Sequence, residues 1–81
     1  MKRECIELLI ESYREIEFIY HGELYSITYY NDGRKKYISV CKFYDNPIDA
    51  SSADEVLKMR IGERTLEQIF ALLPDSAITI Y

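Results

Sequence analysis

The spacing of apolar residues changes at residue 16, and this change separates a helix from a sheet. In residues 3–14 apolar side chains recur at intervals of three and four, which predicts an amphipathic helix. Its apolar positions are Cys5, Ile6, Leu9, Ile10 and Tyr13. From Ile16 onward the interval is two, which predicts strands at about residues 16–20, 24–29 and 36–44.

A two-residue turn at His21-Gly22 is predicted to join the first two strands. It places Phe18 opposite Tyr25 and Ile16 opposite Ile27. These four side chains then point to the same face of the sheet, because residues that lie directly opposite each other share a face.

A second two-residue turn is predicted at Asp32-Gly33, since this pair accepts the positive φ angles of a type I′ hairpin. It sets Ile27 opposite Ile38 and Tyr25 opposite Val40. Both turns therefore gather the apolar side chains on one face. The opposite face is predicted to carry Glu17, Ile19, Leu24, Ser26, Thr28, Tyr37, Ser39 and Cys41.

The C-terminal half is predicted to hold two short helices and one strand. Pro47 ends the sheet, and residues 45–52 are expected to form a long loop. Ser52 with Glu55 fits a capping box that opens a helix through about residue 61, and Gly62 ends it. A second capping box, Thr65 with Gln68, opens the next helix, and a strand follows at residues 77–81.

The predicted fold is α+β with the order α-β-β-β-α-α-β in a single domain, residues 1–81. An antiparallel meander forms the sheet, the helices pack on its apolar face, and the C-terminal strand borders one edge. A chain of this length buries a small core, so self-association is a plausible source of extra stability.

Composition and charge favour a protein of the cytoplasm. The net charge is −4, which argues against a general binder of nucleic acid or membranes. No apolar run is long enough to span a bilayer or typical of a signal peptide. The two cysteines, Cys5 and Cys41, lack a metal-binding or disulfide pattern and are expected to be small buried apolar residues.

The sequence has no pattern typical of an enzyme, a metal site or a cofactor site. His21 is the only histidine and lies at a predicted turn, where it is interpreted as a turn residue. Asp45, Asp49 and Asp54 do not have the spacing of a calcium loop. The three glycines are isolated, so no phosphate-binding loop can form. We therefore expect a non-catalytic protein without metal, cofactor or small-molecule ligand.

Eight tyrosines and a basic hairpin tip indicate an interaction surface. Tyrosine combines a large apolar ring with a hydroxyl group, which suits surfaces that become buried on binding. The predicted surface consists of Tyr29, Tyr30, Arg34, Lys35, Lys36, Tyr37, Ser39 and Tyr44. We therefore predict a protein-protein interaction or accessory domain. Its partner is either another protein or a second copy of the chain in a homodimer.

The alternative is a nucleic-acid-binding module, in which the tip Arg34-Lys35-Lys36 holds phosphates and neighbouring tyrosines stack on bases. The order of helix and strands resembles that of double-stranded-RNA-binding domains. The following helix, however, starts Ser52-Ala53-Asp54-Glu55, which is acidic where that family carries lysines, so the chain is not assigned to it. An acidic protein that inhibits a basic partner is a third reading of the charge.

Overall fold

The computed structural model describes residues 1–42 and 45–81 and confirms the α+β fold class and the order of its main elements. The helices are α1 (Arg3–Glu11), α2 (Ala53–Lys58) and α3 (Leu66–Leu72), with a 3₁₀ turn at Asp75–Ala77. The strands are β1 (Ile16–Tyr20), β2 (Glu23–Asp32), β3 (Lys35–Lys42), β4 (Ile48–Ala50), β5 (Arg60–Ile61), β6 (Arg64–Thr65) and β7 (Ile78–Ile80).

A five-stranded antiparallel sheet, in the order β4-β3-β2-β1-β7, supports one hydrophobic core. All three helices contribute buried residues to this core, so they share one face of the sheet as predicted. The largest fully buried side chains are Phe18, Phe70, Ile6, Ile10, Ile16, Ile27, Leu57, Leu66, Ile69 and Val56. The predicted C-terminal strand pairs with β1 at one edge.

The first turn has the predicted register, with Phe18 opposite Tyr25 and Ile16 opposite Ile27. His21 and Gly22 both have positive φ, 51° and 75°, as a type I′ turn requires. Glycine adopts this conformation without steric cost, whereas His21 does so as a non-glycine residue.

The second turn lies one residue later than predicted. Asp32 pairs with Lys35, so the loop is Gly33-Arg34, and Ile27 lies opposite Val40 instead of Ile38. Gly33, with φ of 64°, is the one residue of the loop in the left-handed region, which fits a hairpin loop with glycine first. The register therefore shifts by two residues, and every side chain keeps its predicted face because the period of a strand is two.

Helix α1 ends at Glu11, three residues before the predicted end. The amide of Arg14 donates to the carbonyl of Leu9 and that of Tyr13 to Ile10, both at 3.0 Å, which is the Schellman pattern that closes a helix. Tyr13 takes the left-handed position of this motif with φ of 55°. Cys5 is exposed, so its predicted burial is wrong: it lies outside the stripe formed by Ile6 and Ile10.

The segment after α2 differs from the sequence prediction. The helix begins at the predicted Ser52, whose hydroxyl accepts the amide hydrogen of Glu55, but it ends at Lys58. The second half of the predicted capping box is absent, because the Glu55 carboxylate accepts hydrogen bonds from Ser51 instead of the Ser52 amide. The next residues form the hairpin β5–β6, in which Gly62 supplies the turn with φ of 65°. The sequence predicts Gly62 as the end of the helix, whereas in the structure it lies in the turn between β5 and β6. The capping box of Thr65 and Gln68 is present in full and opens α3.

The predicted long loop contains the three-residue strand β4, which pairs with β3 from Ile38 opposite Ala50 to Val40 opposite Ile48. A strand this short gives too few residues for a period to be recognised. Within the described ranges, no helix is long and apolar enough to cross a membrane.

Candidate interaction surface

The sheet divides the predicted surface residues between its two faces. We call the face opposite the helices the open face, because no described element packs on it. It comprises Glu17, Ile19, Leu24, Ser26, Thr28, Tyr30, Asp32, Lys35, Tyr37, Ser39, Cys41, Asp49 and Thr79. Among the predicted residues, Tyr30, Lys35, Tyr37 and Ser39 lie on this face. Tyr29 and Lys36 point to the helix side, Arg34 lies in the loop, and Tyr44 lies outside the described residues.

Tyr30 and Tyr37 form an aromatic pair at one end of the open face. They are direct cross-strand neighbours on β2 and β3, and their rings stack with centroids 5.2 Å apart and planes inclined by 21°. Such pairs stabilise a sheet beyond the area that they bury. Tyr30 nevertheless remains 42% exposed, so the pair presents a ring to solvent.

A hydrogen bond fixes the orientation of Tyr30. Its hydroxyl donates to the Asp49 carboxylate at 2.5 Å, and this bond raises the pKa of Tyr30 to about 12. Because Tyr30 lies on β2 and Asp49 on β4, the side chain crosses the intervening strand β3. Ser39, the β3 partner of Asp49, is consequently buried on this face, although the sequence placed it on an accessible surface.

The side chains of β2 and β3 in the middle of the open face are small and uncharged. Ser26 and Thr28 on β2 lie opposite Cys41 and Ser39 on β3, and all but Ser39 are partly exposed. The Cys41 thiol contacts the backbone carbonyls of Lys42 and Asp45, each at 3.1 Å. This strip therefore carries only small side chains between the larger ones at its two ends.

Ile19 and Leu24 form an apolar pair at the other end, next to the His21-Gly22 turn. They are direct cross-strand neighbours, and Ile19 is 51% exposed. The sequence placed both residues on this face but did not include them in the candidate surface. The signal was available, because a period-two strand that carries isoleucine on its outer face exposes apolar area.

The charged groups on the open face lie on β1, on β4 and beside the second hairpin loop. Glu17 is on β1 and Asp49 on the edge strand β4, while Asp32 and Lys35 flank the hairpin loop. The neighbouring Glu17 carboxylate raises the pKa of Tyr81. On this face β2 and β3 carry no charge between the apolar pair and the tyrosine pair, and Glu17 on β1 lies directly beside Ser26.

On the helix side, a separate cluster of side chains packs against the part of the β2–β3 hairpin that extends beyond β1. The ring of Tyr13 meets that of Tyr29 edge to face at 5.5 Å, and the Lys36 ammonium lies 3.8 Å from the centre of the Tyr13 ring. The Tyr29 hydroxyl donates to the carbonyl of Arg14 at 2.7 Å. Burial raises the pKa of Tyr29 to about 12. Tyr29 and Lys36 are therefore held by their own chain.

His21 lines a cleft of about 350 Å³ between the first turn and the β5–β6 hairpin. Its ring stacks on Tyr20 with centroids 4.0 Å apart, and Arg64 contacts the Tyr20 hydroxyl at 3.4 Å. Within residues 1–42 and 45–81, no three His, Cys, Asp or Glu side chains are arranged to hold a metal ion. The stacking gives His21 a packing role at a position with positive φ, where histidine is more frequent than most other non-glycine residues.

No family model, curated protein or solved structure matches this chain.

Proposed function

We propose that this protein is a non-catalytic interaction module that binds a protein partner through the open face of its sheet. The observation that carries the proposal is the continuity of this face. The Ile19–Leu24 pair at one end, a strip of small uncharged side chains and the Tyr30–Tyr37 pair at the other end share one surface, on which no described element packs.

The chemistry of the open face suits protein binding. Aromatic residues are enriched at the centres of protein interfaces and charged residues are depleted there. The Tyr30 ring is already oriented by Asp49, so little side-chain freedom is lost when a partner covers it. Ser26 and Thr28 can form hydrogen bonds across an interface without the cost of burying a charge.

The non-catalytic part of the proposal is supported by the environment of Cys41, the thiol on this face. The Cys41 thiol lies against two backbone carbonyls, and these do not activate a thiol as a neighbouring base or cation does.

The proposal is tested by quantitative capture from cells of the source organism with two matched variants. Tyr30→Ser removes a half-exposed tyrosine from the open face. Tyr13→Ser removes one that is 50% exposed on the helix side. We expect partners that are lost with Tyr30→Ser and retained with Tyr13→Ser, with circular dichroism confirming that both variants fold. Loss of the same partners with both variants, or with neither, would contradict the proposal.

Nucleic-acid binding is the second candidate, and the position of the tip supports it. Arg34 and Lys35 are exposed beside the tyrosine pair, and neither forms an ion pair with another described residue. Fluorescence anisotropy with a single-stranded oligonucleotide at low salt tests this function. Binding that weakens with salt and disappears in Arg34→Glu/Lys35→Glu would support it, and no binding at low salt would eliminate it.

A further inference from the structure

We propose that the cleft between the first turn and the β5–β6 hairpin binds a small organic carboxylate. The cleft lies on the helix side of the sheet, because Tyr20 shares the buried face of β1 with Phe18. It is therefore separate from the open face, and the inference does not depend on the proposed interaction module. The sequence does not predict this site, since its lining residues come from two turns that are far apart in the chain.

The cleft has the size and lining of a small-molecule site. Its volume of about 350 Å³ falls at the lower end of the range of ligand pockets. Ile61 gives the cleft an apolar wall, and Gly62 has no side chain that could fill it. Polar groups come from Tyr20, His21 and Arg64. An apolar wall with a few polar groups is the usual composition of a ligand pocket.

A largely buried tyrosine hydroxyl at this cleft has a hydrogen left to donate. Tyr20 is 8% exposed, and its hydroxyl accepts a hydrogen bond from the Arg64 guanidinium at 3.4 Å. Within residues 1–42 and 45–81 this hydroxyl donates to no other group. A ligand oxygen in the cleft can accept its hydrogen, and such a bond is stronger at a site of low dielectric constant than in water.

Arg64 supplies the positive charge that selects an anion. Its guanidinium carries five N–H donors, and it forms no ion pair with a carboxylate of the described residues. The planar fork of arginine matches the two oxygens of a carboxylate. The Tyr20 hydroxyl and the His21 ring, which stacks on Tyr20 with centroids 4.0 Å apart, add donors beside it.

The charge of the lining favours a carboxylate over a phosphate. Glu63 is exposed and also lines the cleft, so its negative charge offsets the positive charge of Arg64. Inorganic phosphate carries more negative charge than a carboxylate at neutral pH and has no apolar part to contact Ile61. Because His21 and Glu63 leave the cleft open to solvent, we expect a dissociation constant on the order of 1 mM.

An NMR titration of isotope-labelled protein with benzoate tests the site, with sodium chloride at matched ionic strength as the reference. Up to about 20 mM benzoate, the amide shifts of residues 20–22 and 61–64 should saturate with a dissociation constant of about 1 mM. Inorganic phosphate should bind at least about fivefold more weakly. No saturating shift of these amides with benzoate, or tighter binding of phosphate than of benzoate, would overturn the proposal.

Arg64→Gln is the decisive variant, and Arg34→Gln is its matched control. Both remove one positive charge from an exposed arginine, but Arg34 lies in the second loop, at the opposite end of β2 from the cleft. Arg64→Gln should weaken benzoate binding at least about tenfold, and Arg34→Gln less than about twofold. Tyr20→Phe, which keeps the ring, should weaken it about threefold. Equal effects of the two arginine variants, in protein that circular dichroism shows to be folded, would overturn the site.

Discussion

Tyr30 and Asp49, which lie on strands separated by β3, are joined by a 2.5 Å hydrogen bond across the open face. The bond anchors the three-residue edge strand β4 to the centre of the sheet and holds a half-exposed aromatic ring in a fixed orientation. Ser39, the cross-strand neighbour of Asp49, is buried on the same face. One interaction therefore links the stability of an edge strand to the shape of the proposed binding surface.

Asp49→Asn should lower the pKa of Tyr30 from about 12 toward its ordinary value of about 10. The carboxylate favours the neutral phenol, both as a hydrogen-bond acceptor and as a nearby negative charge, and the amide removes that charge. Ultraviolet titration of tyrosine ionisation, with Tyr30→Phe to identify the transition, measures the change. An unaltered titration in Asp49→Asn would show that this hydrogen bond does not form in solution.

Substitutions at two isoleucines on opposite faces of the sheet should reduce the free energy of unfolding by very different amounts. Ile27 is fully buried under the helices, so Ile27→Ala should reduce the free energy of unfolding by about 2–5 kcal/mol. Ile19→Ala, on the open face, should cost less than about 1 kcal/mol, which is the range of strand propensity alone. Urea denaturation at low protein concentration measures both. Equal costs would contradict the assignment of the two faces.

The faces of the sheet could be predicted from the sequence more securely than its register. The alternation of apolar residues determines which side of a strand is buried. The buried side is the predicted one, although the second loop lies at Gly33-Arg34, one residue later than predicted. The register depends on which residues accept positive φ, and Asp-Gly and Gly-Arg both offer a plausible loop. A slip of two residues leaves the buried face unchanged, so the apolar pattern cannot detect it.

The parts of the site that the sequence did not reveal depend on tertiary contacts. Tyr29 and Tyr30 are adjacent in sequence, yet one is held by Tyr13 and Arg14 and the other by Asp49. The β5–β6 hairpin and β4 are too short to show a period. Each is stabilised by its neighbours rather than by its own residue preferences.

The Lys36 ammonium over the Tyr13 ring should contribute a measurable coupling energy. We expect about 0.5–1 kcal/mol from a double-mutant cycle of Tyr13→Leu and Lys36→Met, as is typical of an exposed cation–aromatic contact. Thermal or urea unfolding of the four proteins gives this value. Additive effects of the two substitutions would mean that the contact does not stabilise the fold.

Stability should fall as the pH rises from about 10 to about 12. Burial raises the pKa of Tyr29 to about 12, above the value of about 10 in the unfolded chain. A group whose pKa is raised by folding stabilises the fold below its unfolded pKa, and this contribution disappears as the pH approaches the folded value. Urea unfolding from pH 8 to pH 12 should therefore show a decline, which Tyr29→Phe makes shallower. An identical decline in that variant would remove Tyr29 as a cause.

The central claim is that the open face of the sheet binds a protein partner, and capture with variants matched across the two sides of the sheet tests it most directly. Tyr30→Ser changes the open face, and Tyr13→Ser changes a tyrosine of similar exposure on the helix side. We predict that the captured partners are lost with Tyr30→Ser and kept with Tyr13→Ser. A partner set that both variants lose, or that neither loses, would contradict the claim.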